Sequence, residues 1–316
     1  MRVKVLGSAA GGGFPQWNCA CSNCSGLRHG SLKARPRTQT QIAIAADPEY
    51  ALREYWSLVN ASPDLRTQII AAAELSPFPN TKSSSAIMDV YLQSADVDSL
   101  MGLLHLREFQ AFKIFSMPAI RHILSEENSI FQVLGRANPP VQWFSLPFAS
   151  HLNWDKKQDP KEVPQFISRA VSLGGEYPDY ISRKLRATLP AEEAVIALAF
   201  EYAGKRVFVA PTLPGRNTEW QKWAESSDLV LLDGTFWADD ELLKTGRSQK
   251  TARQIGHLPI SGPGGLMAQY PKHARGRKVL IHINNTNPIL DENSSEHRAV
   301  LDAGFEIAYD GMEFSL

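Results

Sequence analysis

Residues 279–288 read VLIHINNTNP, an apolar run that ends abruptly in a histidine and three asparagines. A short, wholly apolar run predicts an interior strand. A second run of this kind, residues 229–232 (LVLL), is followed at once by Asp233. Polar groups at the ends of buried strands are where α/β enzymes place their sites. The two stretches therefore predict an α/β fold with a site near His282, although backbone-bonded polar residues in a turn remain the alternative.

Outward from these stretches, strand-like and helix-like segments alternate through both halves of the chain. The predicted strands are residues 3–6, 40–46, 54–59, 85–92, 111–115, 141–144, 165–171, 195–202, 206–210, 229–232, 279–283 and 305–308, and the predicted helices are residues 63–75 (N-cap Ser62), 99–106 and 296–303. Because no low-complexity linker separates the halves, we predict one α/β domain over residues 1–316, with sheets inside and helices outside. A split near residue 160 is less favoured, and residues 147–164 are predicted to form a surface excursion.

The composition excludes several classes of protein. Lys plus Arg and Asp plus Glu number 33 each, so the formal net charge is zero. This balance does not indicate binding to nucleic acid or to a membrane surface through bulk charge. The apolar stretches are far shorter than the roughly 20 residues that cross a bilayer, and no apolar signal-peptide core follows the first residues. We therefore expect a cytoplasmic protein without a membrane span or a nucleic-acid partner.

Three cysteines, Cys19, Cys21 and Cys24, form a Cys-x-Cys-x-x-Cys arrangement, and the chain has no others. An odd, clustered set is more typical of metal ligation than of disulfides. Structural zinc takes four tetrahedral N or S ligands, so the trio predicts a zinc ion that also holds the predicted loop of residues 11–36. Three free thiols are the alternative. The sequence does not fix the fourth ligand, for which the candidates are His29, His257, His282 and Asp310.

Two carboxylates, Asp96 and Asp98, follow a predicted buried strand and precede a predicted helix. Spaced two residues apart, both could face a metal or a substrate. Each could instead serve only the helix, because the N-cap position and the helix dipole both favour aspartate there. Asp233 is similarly open to two interpretations, since Asp-Gly is also an ordinary turn signal.

Seven blocks of sequence, in one order along nearly the whole chain, carry a resemblance to a known family. They are residues 6–24 (LGSAAGGGFPQWNCACSNC), 60–64 (NASPD), 102–108 (GLLHLRE), 233–237 (DGTFW), 256–258 (GHL), 281–288 (IHINNTNP) and 309–312 (YDGM). On these blocks the chain resembles the pyrroloquinoline quinone (PQQ) biosynthesis protein B family. The resemblance implies a metallo-β-lactamase-like αββα four-layer sandwich and a role in making PQQ from a Glu–Tyr cross-linked peptide precursor.

The resemblance also implies metal ligands, and at one of them the chain departs from the family. It implies a structural zinc on the three cysteines, and it places His282 at the active-site histidine and Asp98 at the aspartate of an Asp-His metal pair. Here Ser99 follows Asp98 in place of that histidine. A hydroxyl is a poor substitute for imidazole on iron or zinc. Either the site has diverged, or another ligand such as Asp96 compensates.

Two functions remain under this resemblance. The first is iron-dependent hydroxylation of the tyrosine ring of the precursor, at a weakened Fe²⁺ site. Its residues would be Asp98 and His282 on iron, His257 as acid or base, Asp233 as an orienting group, and Asn284 and Asn285 against the cofactor. The second is a carrier that binds PQQ or its precursor in transport. A two-metal hydrolase is not expected, because residues 93–99 lack the His-x-His-x-Asp-His cluster that holds two metals. The oligomeric state stays open, with a homodimer as one option.

Overall fold

The computed structural model describes residues 1–46, 55–78, 85–108, 111–136, 138, 140–149, 164–215 and 217–316. The strands are β1 (Arg2–Gly7), β2 (Gln41–Ala45), β3 (Trp56–Val59), β4 (Ile87–Tyr91), β5 (Lys113–Ser116), β6 (Gln142–Ser145), β7 (Ile167–Ser172), β8 (Ile196–Tyr202), β9 (Lys205–Ala210), β10 (Leu229–Asp233), β11 (Arg277–Ile281), β12 (Glu306–Ile307) and β13 (Glu313–Ser315). The α-helices are α1 (Ser22–His29), α2 (Leu65–Ala71), α3 (Val97–Leu100), α4 (Pro118–Ser125), α5 (Arg183–Arg186), α6 (Glu219–Glu225), α7 (Glu241–Lys244), α8 (Leu266–Gln269) and α9 (Ser295–Asp302).

The chain forms two compact units. The first comprises Met1–Leu6, Gln41–Lys205 and Glu313–Leu316, and the second comprises Gly7–Thr40 and Arg206–Met312. In the first unit, a seven-stranded sheet has the order β13-β1-β2-β3-β4-β5-β6, with β3 to β6 parallel and with antiparallel pairing at β13-β1 and β2-β3. The same unit holds the antiparallel pair β7-β8.

The second unit contains the strands that carry the candidate site. Strand β10 lies between β9 and β11, parallel to both, and β11 pairs in parallel with β12. All five residues of β10 are buried, which explains why its sequence is an unbroken apolar run rather than an alternating one. Asp233 is in register with Ile281, so the residues that follow β10 and β11 emerge side by side at one sheet edge.

Each predicted strand corresponds to an observed strand whose ends lie within two residues of the predicted ones, and α9 confirms the helix predicted over residues 296–303. The prediction of an unbroken loop over residues 11–36 was wrong, because α1 lies inside it. The Cys21 side chain accepts a hydrogen bond from the Cys24 N–H at the start of α1, and Gly30, at φ 72°, ends it. Such capping can define a short helix without an apolar period.

The helix predicted from Ser62 also begins elsewhere. Helix α2 starts at Leu65, with Asp64 in the N-cap position, and Ser62 Oγ instead accepts the Asp64 N–H at 3.1 Å. The helix predicted over residues 99–106 is the short α3 followed by a 3₁₀ helix, Met101–Arg107. The surface excursion predicted at residues 147–164 lies mostly outside the described residues, as does the split near residue 160. Among the described helices, none is long and apolar enough to cross a membrane.

Candidate active site and thiol cluster

Asp233 is the buried anchor of the candidate site. It ends β10 and is fully buried. Its Oδ2 accepts the Leu213 N–H at 2.8 Å, and its Oδ1 accepts both the N–H and the hydroxyl of Thr235, at 3.0 and 2.7 Å. Burial alone would raise the pKa of Asp233, but the nearby His257 and these donors lower it below the usual range. Asp233 is therefore an ionised acceptor inside the protein.

Two imidazoles meet at Thr235. The Nδ1 atoms of His257 and His282 lie 3.0 Å from Thr235 Oγ1, and His257 Nδ1 is also 2.9 Å from Asp233 Oδ2. Because the Thr235 hydroxyl proton is donated to Asp233, its oxygen can accept from both rings. This assigns the proton of each ring to Nδ1 and leaves the lone pair on Nε2. A neutral imidazole with a fixed Nε2 lone pair can bind a metal or accept a proton.

The backbone at His282 is in an unusual conformation. Strand β11 ends at Ile281, and His282 has φ 62°, in the left-handed region that few residues other than glycine adopt. The chain is fixed on the far side, where the Ile283 N–H donates to Ser8 O at 3.0 Å. Such strain persists only where surrounding contacts impose it, and it is common at functional sites. Here it accompanies the approach of the imidazole to Thr235, and the two rings stack with centroids 5.5 Å apart.

The three cysteines converge in the same unit. Their sulfurs lie within 4.8 Å of one another, with Cys19 and Cys24 buried and Cys21 half-buried. Burial raises the pKa of the Cys21 thiol to about 11. Burial acts in the same direction on Cys19, but N–H and S–H donors and the cation of Arg247 lower its pKa overall. The Arg247 Nη2 lies 2.9 Å from Cys19 Sγ. The cluster thus combines three sulfur donors with a compensating positive charge.

None of the four candidate fourth ligands joins the thiols within the described part of the chain. His257 and His282 belong to the Asp233 network. Asp310 accepts from Ser8 Oγ at 2.7 Å and from the Thr38 N–H at 2.6 Å. His29 is the last residue of α1 and is exposed. Besides Arg247, the amide of Asn285 contacts the sulfurs, and its Nδ2 lies 3.0 Å from Cys19 Sγ and 3.3 Å from Cys24 Sγ.

Asn284 and Asn285, predicted to contact a cofactor, lie in the loop between the thiols and the imidazoles. The Asn284 N–H donates to Thr235 O at 3.1 Å, and its side chain donates to Thr286 Oγ1 at 2.7 Å. The contact of the Asn285 side chain with the thiols is a role that the sequence did not predict. Whether either amide also contacts a cofactor stays a prediction.

Sequence reasoning did not single out Glu241, which belongs to this loop region. Glu241 is buried, accepts the Thr286 hydroxyl at 2.5 Å and accepts the Trp237 N–H at 2.7 Å. Burial raises its pKa to about 7. In the sequence it follows Asp239 and Asp240 and resembles part of an exposed acidic run. The only signal available was its position at the start of α7, where a carboxylate is generally favoured.

Asp98 lies in the other unit, half-buried in the first turn of α3. Asp96 occupies the N-cap position of that helix without a side-chain capping bond, and its Oδ2 accepts from Ser94 Oγ at 2.7 Å. The helix-capping interpretation therefore holds for the position of Asp96 but not for the hydrogen bond expected of it. The pairing of Asp98 with His282 on one metal stays a prediction.

Comparison with known proteins gives concordant matches. A family model described as "Beta-lactamase superfamily domain" matches residues 55–283. "Coenzyme PQQ synthesis protein B" of Azoarcus sp. (strain BH72) is 42% identical, and that of Pseudomonas putida strain KT2440 is 38% identical, each with 100% of both chains covered. The crystal structure of Zn²⁺-bound PqqB from Methylobacterium extorquens superposes with a TM-score of 0.86 at 34% identity, again with 100% of both chains covered. These likenesses confirm the predicted metallo-β-lactamase-like α/β fold.

Proposed function

The chain belongs to the coenzyme PQQ synthesis protein B family, and on this membership we propose that it acts in PQQ biosynthesis on the cross-linked Glu–Tyr precursor. The observation that carries this proposal beyond the family is the network of Asp233, Thr235, His257 and His282. A buried ionised carboxylate and a shared hydroxyl hold two imidazoles in one tautomer. An arrangement of this kind is suited to proton transfer and ligand binding.

We assign the structural zinc to Cys19, Cys21 and Cys24. Three sulfurs within 4.8 Å of one another fit the ligand set of a tetrahedral zinc ion. The relative from M. extorquens is described as Zn²⁺-bound, which supports zinc as the metal in this family. Zinc at the thiols would cross-link the segment around α1, and its role there is structural.

The proposed reaction is hydroxylation of the tyrosine ring, in which dioxygen and two electrons from a reductant would place one oxygen atom on the ring and release the other as water. Bound iron would supply the chemistry that activates the dioxygen. The iron donors fit incompletely. Asp98 and His282 offer one carboxylate and one imidazole, whereas the usual facial set has two imidazoles and one carboxylate. Within the described residues, the thiols are the only convergent group of three or more His, Cys, Asp or Glu side chains. No step is therefore assigned to iron.

The residues of the chain itself support a definite proton-transfer step. His257 Nε2 would accept the phenolic proton of the precursor, because its Nδ1–H is already committed to Asp233 Oδ2. The resulting imidazolium would be stabilised by the buried carboxylate at 2.9 Å. His282 would bind the iron through Nε2, while the contact of its Nδ1 with Thr235 Oγ1 fixes the orientation of the imidazole. Removal of the phenolic proton makes the tyrosine ring of the precursor electron-rich and thus easier to oxidise.

A second candidate function, that of a carrier for PQQ or its precursor, is favoured by Ser99. With serine in the place of an imidazole ligand, the site could retain precursor binding and lose turnover. We also propose that the protein is cytoplasmic and forms a homodimer. The proton transfer to His257 requires neither property.

The test combines precursor binding, iron content and product mass. We expect calorimetry to show precursor binding to the purified chain, and we expect Ser99→His to raise iron occupancy after anaerobic loading. On exposure to oxygen with ascorbate as the two-electron reductant, mass spectrometry should detect precursor heavier by one oxygen atom, more so with the variant. Binding without product, even in an iron-loaded Ser99→His chain, would establish the carrier function instead. Equal, near-stoichiometric iron in both chains would refute the argument from the missing ligand, and absence of binding would refute both functions.

A further inference from the structure

We infer that the zinc-thiolate cluster holds Thr235 and His282 in place through residues 284–287, with Asn23 and Asn285 as the positioning residues. We call residues 284–287 the bracing segment. The inference rests on the proposed zinc at Cys19, Cys21 and Cys24. It gives the structural zinc a role in the geometry of the imidazole pair.

The first step of the connection is Asn23, which lies in α1 next to Cys24. Its side chain is buried, and its Nδ2 donates to the backbone carbonyls of Asn285 at 3.2 Å and Asn287 at 2.9 Å. The Asn23 amide thus forms hydrogen bonds with both ends of residues 285–287. Because Asn23 is adjacent in the chain to a thiol ligand, the ordering of α1 by zinc fixes this amide as well.

The second step is the side chain of Asn285, which contacts the sulfurs directly. Its Nδ2 donates to Cys19 Sγ at 3.0 Å and to Cys24 Sγ at 3.3 Å. A thiolate is a stronger acceptor than a neutral thiol, because hydrogen bonds to charged groups are the stronger ones. Zinc keeps its cysteine ligands deprotonated. Metal binding therefore strengthens the contact that anchors the bracing segment.

The third step links the bracing segment to the imidazoles. The Asn287 side chain donates to Gly234 O at 2.9 Å and to Thr235 O at 3.2 Å, and the Asn284 N–H donates to Thr235 O at 3.1 Å. Thr235 is therefore held through its carbonyl from the bracing segment, while its hydroxyl meets both imidazoles. His282, in its left-handed conformation, stands only two residues before Asn284.

The contact between the two turns is also sterically close. The Gly234 N–H donates to Ile281 O at 2.7 Å, and a Cβ on Gly234 would lie 2.9 Å from that oxygen. A displacement at the end of β11 would therefore be transmitted to the residues after β10. The alternative is a local staple, in which zinc orders only α1, and the bonds of Asp233 alone keep Thr235 in position.

The experiment uses the full chain with ¹⁵N-labelled histidine and compares the imidazole signals of His257 and His282 by NMR. In zinc-loaded protein, both rings should show the Nδ1–H tautomer with hydrogen-bonded proton shifts. Asn23→Ala retains all three thiols and should retain zinc. We expect it to broaden or shift both imidazole signals, whereas replacement of the exposed Asn18, which precedes α1, by alanine (Asn18→Ala) should leave them unchanged.

Removal of zinc by a chelator should have the same effect as Asn23→Ala, and restoring zinc should reverse it in the wild-type chain. Unchanged imidazole signals in a zinc-retaining Asn23→Ala chain would overturn the inference and establish the local staple. Elemental analysis for zinc distinguishes a failure of this inference from a failure of the proposed zinc assignment on which it rests. A chain that never binds zinc refutes the zinc assignment, whereas a chain that binds zinc without affecting the imidazoles refutes only the brace.

Discussion

Replacing Glu241 with glutamine should change how stability depends on pH. Burial raises the pKa of Glu241 from the ordinary glutamate value of 4.5 to about 7. Because the folded-state value is the higher one, the fold holds the proton more tightly than the unfolded chain does. The stabilisation by protonated Glu241 is fully present below pH 4.5 and is lost as the pH rises through about 7. Glutamine keeps one oxygen to accept the Trp237 N–H, its NH2 group can donate to Thr286 Oγ1, and it does not ionise.

The expected magnitude follows from the two pKa values. Between pH 5 and pH 8, linkage gives a loss of about 2–3 kcal/mol in the free energy of unfolding from this residue. The assay is urea unfolding of both chains across that range, followed by tryptophan fluorescence, with zinc present throughout. Taking the difference between wild type and Glu241→Gln cancels the other titrating groups. As the pH rises, the free energy of unfolding of the variant should increase relative to that of the wild type by about 2–3 kcal/mol. Stability curves that stay parallel across the pH range would refute the reasoning.

Two further substitutions test the thiol cluster and the backbone packing. Arg247→Met removes the cation beside Cys19 and should weaken zinc binding by about 10–100-fold in competition with a chromophoric chelator. Arg66→Met, which removes an exposed charge in the other unit, should leave zinc binding unchanged. Equal zinc affinities of the wild type and Arg247→Met would contradict the role of Arg247. Gly102→Ala should destabilise the fold by about 1–3 kcal/mol in urea unfolding, because its Cβ would lie 2.2 Å from a backbone oxygen. Gly135 has open space around it. A similar loss of stability in Gly135→Ala would therefore show that steric crowding is not the cause of the loss in Gly102→Ala.

Part of the candidate site could be predicted because it follows directly from strand patterning. The apolar runs of β10 and β11 identified interior strands, and parallel pairing brings Asp233 and Ile281 into register. The polar residues after both strands must therefore meet at one edge. The spacing of the cysteines predicted the thiol trio, and the resemblance implied the family and the four-layer fold. Relatives with 38% and 42% identity over the full chain and a superposable crystal structure bear out the family and the fold.

The sequence could not predict how the site is held together. Thr235 is the common partner of both imidazoles, yet in the sequence it is one residue of a turn. Its role depends on His257 approaching from a different loop. Glu241 resembled a solvated acid, but its burial follows from contacts with Thr286 and the Trp237 N–H. Such contacts are tertiary, and no local pattern encodes them.

The secondary structure shows a comparable division between local and tertiary signals. Helix α6, which was not among the predicted helices, carries Trp220, Trp223 and Ala224 on its buried side, and this helical spacing is visible in the sequence. Strand β13 is different, because it forms through antiparallel pairing with β1 at the opposite end of the chain. A three-residue segment has no periodicity long enough to predict that pairing.

The zinc X-ray absorption spectrum of the purified chain tests most directly whether Cys19, Cys21 and Cys24 hold the ion that orders this part of the protein. We predict about one zinc ion per chain, with three sulfur neighbours at about 2.3 Å. A chain without zinc, or a spectrum with only nitrogen and oxygen neighbours, would contradict the account.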